Sequence, residues 1–164
     1  MKILLLEDTL TYAESLKRHL SGSEIDLATN LPDFDYLLYE EPGVQAYDLV
    51  LMDLNIVMSD ISNEELREYI AELRTYEPNT VFGIPLLGLD YFHCKVLTHS
   101  ATKDCAEKKF FLISGHVTLL QRDKTFEERK IIFPPERLLD KGLEGHASHL
   151  RQLANKVRRQ GGAP

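Results

Sequence analysis

Four short apolar runs and the helical stripes between them dominate the chain. Lys2-Ile3-Leu4-Leu5-Leu6 is continuous rather than alternating, the pattern of a strand covered on both faces. It stops at Glu7-Asp8-Thr9. Leu10, Ala13, Leu16, Lys17 and Leu20 then recur at helical spacing, and Ser21-Gly22 ends that helix. Glu24 to Thr29 predicts a second strand. Pro32 opens a helix through Phe34, Leu37 and Leu38, closed by Glu41-Pro42-Gly43. Tyr47 to Asp53 predicts a third strand, again as one apolar run. Strand and helix alternate through the first 53 residues, which predicts a parallel sheet with helices on both faces.

Between Ile56 and Pro85 the pattern changes. Ser62-Asn63-Glu64-Glu65 has the form of a capping box, and Leu66, Tyr69, Ile70, Leu73 and Tyr76 follow as one apolar stripe ended by Glu77-Pro78-Asn79. A further helix is expected from Leu86 to Leu97. Lys103 to Lys109 is a polar linker with a solvated lysine face. Phe110-Phe111-Leu112-Ile113 predicts a fourth strand ending at Ser114-Gly115. Val117 to Glu128 is a weak helix, and Arg137-Leu138-Leu139-Asp140 a short fifth strand ending at Lys141-Gly142. The last helix carries Leu143, Ala147, Leu150, Leu153, Ala154 and Val157 inward. Arg158-Arg159 and the tail from Gly161 to Pro164 are expected to be loose.

Composition narrows the class. With 164 residues, 43% of them hydrophobic and 27% charged, the chain is long enough for one domain with a real core. A net charge of −7 argues against nucleic acid as the main partner. Cys94 and Cys105 make no disulfide framework. Lys2 precedes only four apolar residues, unlike a secretion signal, and no run approaches a membrane span, so a cytoplasmic protein is expected. His93-Cys94, His99, Cys105 and His116 fit no common zinc spacing and are expected to pack.

The chemistry gathers at strand ends. In an open parallel sheet, sites form beyond the carboxyl edge. Glu7 and Asp8 follow the first strand, Asp53 the third, Ser114 the fourth and Lys141 the fifth. Clustered carboxylates repel unless a cation lies between them or one takes a proton. An oxygen-only site that retains water suits Mg²⁺, above all beside a phosphate. A carboxylate left over as nucleophile gives an aspartyl phosphate, with a lysine and a hydroxyl to hold phosphoryl oxygens. Taken singly, each of these residues is ordinary at the end of a strand. Their joint occurrence, in order, is what carries the argument.

In these residues the chain resembles the receiver domain of two-component response regulators, over nearly its whole length. The acidic pair matches Glu7-Asp8, the phosphoacceptor Asp53 in Asp-Leu-Val-Leu-Met-Asp-Leu-Asn, the switch hydroxyl Ser114 in Phe-Leu-Ile-Ser-Gly, and the lysine Lys141 in Leu-Leu-Asp-Lys-Gly. The resemblance implies a doubly wound, five-stranded parallel sheet of order 2-1-3-4-5, with an inserted helix between strand 3 and helix 3. It also implies a Mg²⁺ held by Asp8, Asp53 and the Asn55 carbonyl, with Glu7 acting through water. Asp53 would take a phosphoryl group from a histidine kinase or phosphotransfer protein, and the chain would catalyse no turnover beyond its own phosphorylation and dephosphorylation. Gly115 would keep the path to Asp53 open, with Asn55 and His116 flanking it. The face of the fourth helix, fifth strand and last helix would meet a downstream protein or a second copy. No nucleic acid or membrane is implied.

Three departures stand out. Gly142 follows the lysine where the family has proline. Leu138 stands where the switch aromatic belongs. Asp53 and Ser114 are 61 positions apart, about twice the family habit, and the excess falls in 56–85. One domain over 1–160 with 56–85 inserted and 161–164 as tail is therefore expected, the insertion lying beside the site as a lid or partner surface. The insertion also carries a net charge of −4. Its acidic row Glu64, Glu68 and Glu72 is a solvated face or a docking surface for a basic partner. Two other functions fit less well. A degenerate receiver would bind partners without phosphorylation. An aspartate-nucleophile phosphatase of the haloacid-dehalogenase type needs a second carboxylate two residues after Asp53, where Asn55 stands.

Overall fold

A computed structural model describes residues 1–56, 80–81, 84–85, 87–115, 117, 135–142 and 145–161. Five parallel strands form the central sheet: β1 (Lys2–Leu6), β2 (Glu24–Ala28), β3 (Leu49–Asp53), β4 (Phe110–Ser114) and β5 (Leu138–Asp140), in the order β2-β1-β3-β4-β5. This is the expected doubly wound topology. β3 and β4 are buried at every position, which is why they read as unbroken apolar runs. The edge strand β2 has only Ala28 buried.

Alternation along the central strands sorts their side chains into two cores. Leu4, Leu6, Val50, Met52, Phe110 and Leu112 point to one face, where α2 (Leu31–Tyr39) and α3 (Leu87–Tyr91) cover them. Ile3, Leu5, Leu49, Leu51, Phe111 and Ile113 point to the other, under α1 (Leu10–His19) and α4 (His146–Gly161). Each fully buried leucine or isoleucine contributes about 2 kcal/mol of transfer free energy, so both faces are needed to hold the sheet between its helices. α2 has Pro32 in its first turn as its sequence predicts, and the Asn30 side chain caps it by accepting from the Asp33 N–H at 2.8 Å.

Several expectations change in detail. Leu10 does not join the inner stripe of α1 and is 59% exposed. It is the first residue of the helix, which starts three residues after Glu7 leaves β1. Lys17 pairs with Glu14 at 3.0 Å instead of facing the core. The helix expected over Leu86–Leu97 begins at Leu87 and widens into a π-helical turn over Phe92–Val96, with the Leu97 N–H reaching Phe92 O at 3.0 Å. The linker holds a helical turn, Ala106–Lys109, and Lys109 is not part of a solvated face. Its Nζ donates to Val44 O at 3.2 Å and to Tyr47 O at 2.8 Å, tying the linker to the 3₁₀ turn Val44–Ala46 and the residue after it. Arg137 belongs to a 3₁₀ turn with Pro135, ahead of β5. α4 runs on through Arg158 and Arg159 to Gly161, because Lys, Arg and Gln propagate a helix already anchored by Leu150 and Ala154.

Of 56–85, the described part shows a two-residue antiparallel ladder, Thr80–Val81 with Ile84–Pro85, which the periodicity did not predict. The expected helix over Ser62–Tyr76 and the weak helix Val117–Glu128, apart from Val117, lie outside the described residues, as do His116, Leu143 and the last three residues of the tail.

Candidate functional site

The carboxyl ends of β1, β3, β4 and β5 meet as parallel neighbours, so four distant sequence positions share one edge. Glu7 follows β1 directly and is fully buried. Its Oε1 accepts the Thr9 N–H at 3.1 Å, which bends the chain toward α1. Asp8 is half-buried beside it and accepts the Thr9 hydroxyl at 3.3 Å. Asp53 ends β3 at 1% exposure, and its Oδ1 accepts the Asn55 N–H at 3.1 Å. Glu7, Asp8 and Asp53 each offer an oxygen within 4.8 Å of the others.

Lys141 reaches this group from the end of β5. Its backbone N–H bonds Ser114 O at 2.9 Å, which fixes the root of the side chain. Its Nζ lies 2.7 Å from Asp53 Oδ2 and 2.7 Å from Glu7 Oε2. The ammonium also sits over the ring of Tyr12, 4.5 Å from its centroid. Ser114 is buried at the end of β4, and its hydroxyl donates to Asn55 Oδ1 at 3.2 Å. The structure therefore brings together Glu7, Asp8, Asp53, Asn55, Ser114 and Lys141, from the ends of four strands.

Among the described residues, one positive charge faces three carboxylates. Burial raises the Glu7 carboxyl above its ordinary value, the Asp53 charge adds to this, and Lys141 opposes both. Burial likewise raises Asp53, again against Lys141. Glu7 Oε2 is buried, and the Lys141 ammonium lies 2.7 Å from it. A cluster of hard oxygen donors with surplus negative charge fits a metal cation.

Both departures at β5 have a local account. Gly142 donates its N–H to Asp140 Oδ1 at 2.8 Å, a bond proline cannot make. Leu138 packs half-buried against the α2–α3 core, while the neighbouring Arg137 guanidinium lies 4.5 Å from the Phe111 ring centroid. The His99 ring packs against Tyr39 at a tilt of 52°, with centroids 4.2 Å apart, and the Cys105 thiol donates to Thr102 O at 3.3 Å. Gly115 is exposed, and a methyl group added there would meet no atom within 4 Å.

Two site residues escaped the sequence reading. Tyr12 is one, four positions after Asp8 on the first turn of α1. Gly88 is the other: a Cβ there would collide with Asp53 O and lie 2.8 Å from Leu54 Cα. Its N–H donates to Leu54 O at 3.2 Å, so α3 rests directly on the backbone of the Asp53 turn. A lone glycine inside a helical pattern was the available signal.

No protein-family profile matches the chain, and no curated protein matches it in sequence. Solved structures match it in fold. The signal receiver domain of a DNA-binding response regulator from Colwellia psychrerythraea 34H superposes with a TM-score of 0.58 at 20% identity, over 98% of this chain and 99% of that one. A response regulator receiver domain from Rhodospirillum rubrum gives 0.57 at 15% identity, over 97% and 94%. The phosphorylated cyanobacterial phytochrome response regulator RcpA gives 0.51 at 18%, over 96% and 91%. The fold is that of response-regulator receiver domains, and its carboxyl edge carries a buried acidic cluster suited to a cation. Among the described residues, no helix is long and apolar enough to cross a membrane.

Proposed function

We propose that this chain is a phosphorylation-controlled receiver that accepts a phosphoryl group on Asp53 from a histidine kinase or phosphotransfer protein. The observation that carries this reading is Lys141, whose ammonium bridges Glu7 and Asp53 at 2.7 Å each, next to the Ser114 hydroxyl. A carboxylate oxygen of Asp53 attacks phosphorus, and the bond from phosphorus to the donor's nitrogen or oxygen breaks, its electron pair leaving with the donor. Asp8, Asp53 and the Asn55 carbonyl would hold a Mg²⁺, with Glu7 acting through water, and the ion would supply positive charge to neutralise phosphoryl oxygens. Lys141 neutralises a further oxygen of the transferred group. Ser114 exchanges its Asn55 partner for a phosphoryl oxygen, so occupancy of Asp53 is felt at the end of β4. Gly115 leaves the approach to the site open.

That charge change is the signal. Its readout surface includes β5 and α4, and it meets a downstream protein or a second copy of the chain. Segment 56–85 follows Asp53 directly in sequence and acts as a lid or partner-specific surface. The protein works in the cytoplasm, without nucleic acid or membrane, and its chemistry stops at gain and loss of its own phosphoryl group. The likeness in fold to a regulator crystallised phosphorylated is consistent with this.

Incubation with acetyl phosphate and Mg²⁺ should add one phosphoryl group to the intact protein by mass spectrometry, and none to Asp53→Asn. Undiminished labelling of Asp53→Asn would overturn the assignment. Leu138 favours one second reading, a receiver that binds its partner whether or not Asp53 is modified, because no aromatic ring is there to rotate. Partner binding unchanged in Asp53→Asn would select it.

A further inference from the structure

Resting on that reading, we propose that Tyr12 is a positioning residue for Lys141: its ring face holds the ammonium at the site while Asp53 changes from carboxylate to acyl phosphate. Among the described residues the ammonium has three neighbours in the resting site, Glu7 Oε2 and Asp53 Oδ2 at 2.7 Å each and the Tyr12 ring at 4.5 Å. Phosphoryl transfer alters one of them. The Asp53 oxygen that attacks becomes bonded to phosphorus, and the negative charge moves outward onto the phosphoryl oxygens. An ammonium held by carboxylates alone would then be divided between the buried Glu7 and the new phosphoryl oxygens.

An aromatic face solves that problem differently from a third acid. It attracts a cation through its quadrupole without adding charge to a site already in surplus, and it is strongest where water is excluded. The Lys141 side chain is only 18% exposed, so the contact is largely desolvated. Tyr12 is itself fixed, half-buried against the α1–α4 core, with its N–H bonded to Thr9 O at 3.0 Å. Burial, with Glu7 and Asp53 nearby, raises its phenol above the ordinary value and keeps the ring neutral.

The test compares Tyr12→Phe, which keeps the ring face, with Tyr12→Leu, which keeps only apolar bulk. If Tyr12→Leu loses the native melting transition, Tyr12→Met takes its place. The readouts on the full chain are the maximal rate of labelling by acetyl phosphate with Mg²⁺, its half-saturating donor concentration, and the NMR resonances of the Lys141 ε-methylene protons. Tyr12→Phe should match the native protein. Tyr12→Leu should label about tenfold more slowly at saturating donor with an unchanged half-saturation, as expected for loss of one desolvated cation–π contact. The Lys141 protons should be shifted upfield by the ring in the native and Phe forms and return in Leu. A native rate in Tyr12→Leu, or equal slowing in Tyr12→Phe, would overturn the proposal. A native chain that takes no phosphoryl group defeats the phosphorelay reading instead, and unshifted Lys141 protons then defeat the ring–ammonium contact independently.

Discussion

Two lysine-centred clusters sit at opposite ends of this sheet, built from nearly the same residue types. At the amino edge, Lys2 Nζ lies 3.3 Å from Glu24 and 3.2 Å from Asp26, with the Tyr47 ring centroid at 5.4 Å. At the carboxyl edge, Lys141 has Glu7, Asp53 and Tyr12 in the same roles. The difference is water and completeness. Glu24 is 69% exposed and Asp26 30%, and Tyr47 donates its hydroxyl to Asp26 at 2.9 Å. The Lys2 ammonium is pushed up, chiefly by its hydrogen bond to Asp26, so its partners hold it charged. At the other edge Glu7 and Asp53 are buried, a third acid adjoins them, and their carboxyls are pushed up because the charged state is poorly accommodated. A lysine among acids is therefore no site by composition. Surplus charge away from water is what makes the carboxyl edge receptive to a cation and a phosphoryl group.

The sharpest way to break this contrast is to remove each lysine. Lys141→Met leaves two buried carboxylates facing each other and should destabilise the metal-free protein at neutral pH by about 2–3 kcal/mol. Lys2→Met removes two ion pairs that water reaches and should leave the denaturant midpoint close to native. Urea unfolding of both variants is the measurement. Equal losses would mean that burial does not separate the two clusters.

A smaller effect is expected at Gly88, which decides where the Asp53 backbone sits. A methyl group added there would run into backbone atoms of Asp53 and Leu54, so no side chain can swing away to make room. Gly88→Ala should cost about 2 kcal/mol by overpacking and slow labelling of Asp53. Gly115→Ala, with open space at its Cβ, is the matched control and should keep native stability. Urea midpoints and labelling rates of the two variants make the comparison.

These residues also mark what was legible in the sequence. β1, β3 and β4 were readable because burial on both faces leaves only apolar side chains to choose from, and Glu7, Asp53 and Ser114 stood out where those runs stop. Lys141 was readable by the same logic at a shorter strand. Tyr12, Gly88 and Lys109 were not, because each acts across space on a segment remote in sequence. Tyr12 on a helix looks like core filling, Gly88 like a weak helix position, and Lys109 like a linker charge. Leu10 failed in the opposite sense: helical spacing marks a stripe but not that its first member, at the start of α1, stays in solvent.

The least disruptive change tests the charge surplus itself. Glu7→Gln keeps the shape of the side chain and removes one buried negative charge. Because the Glu7 carboxyl is raised in the folded protein above its ordinary 4.5, the native state binds more protons than the unfolded chain in the window from 4.5 up to the folded value. Stability contributed by this group is thus greatest below 4.5, where both states are protonated, and is lost as pH rises through the folded value. Glu7→Gln does not titrate, so in the absence of metal its melting temperature relative to native should climb across that window and stand a few degrees higher at neutral pH. With saturating Mg²⁺ the order should reverse, because a bound cation stabilises the form that retains the carboxylate. Calorimetric scans of both proteins at a series of pH values, with and without Mg²⁺, measure the two differences. A pH-independent gap would show that Glu7 is not held at the expense of its charge, and the distinction between the two edges of the sheet would then rest on Asp53 alone.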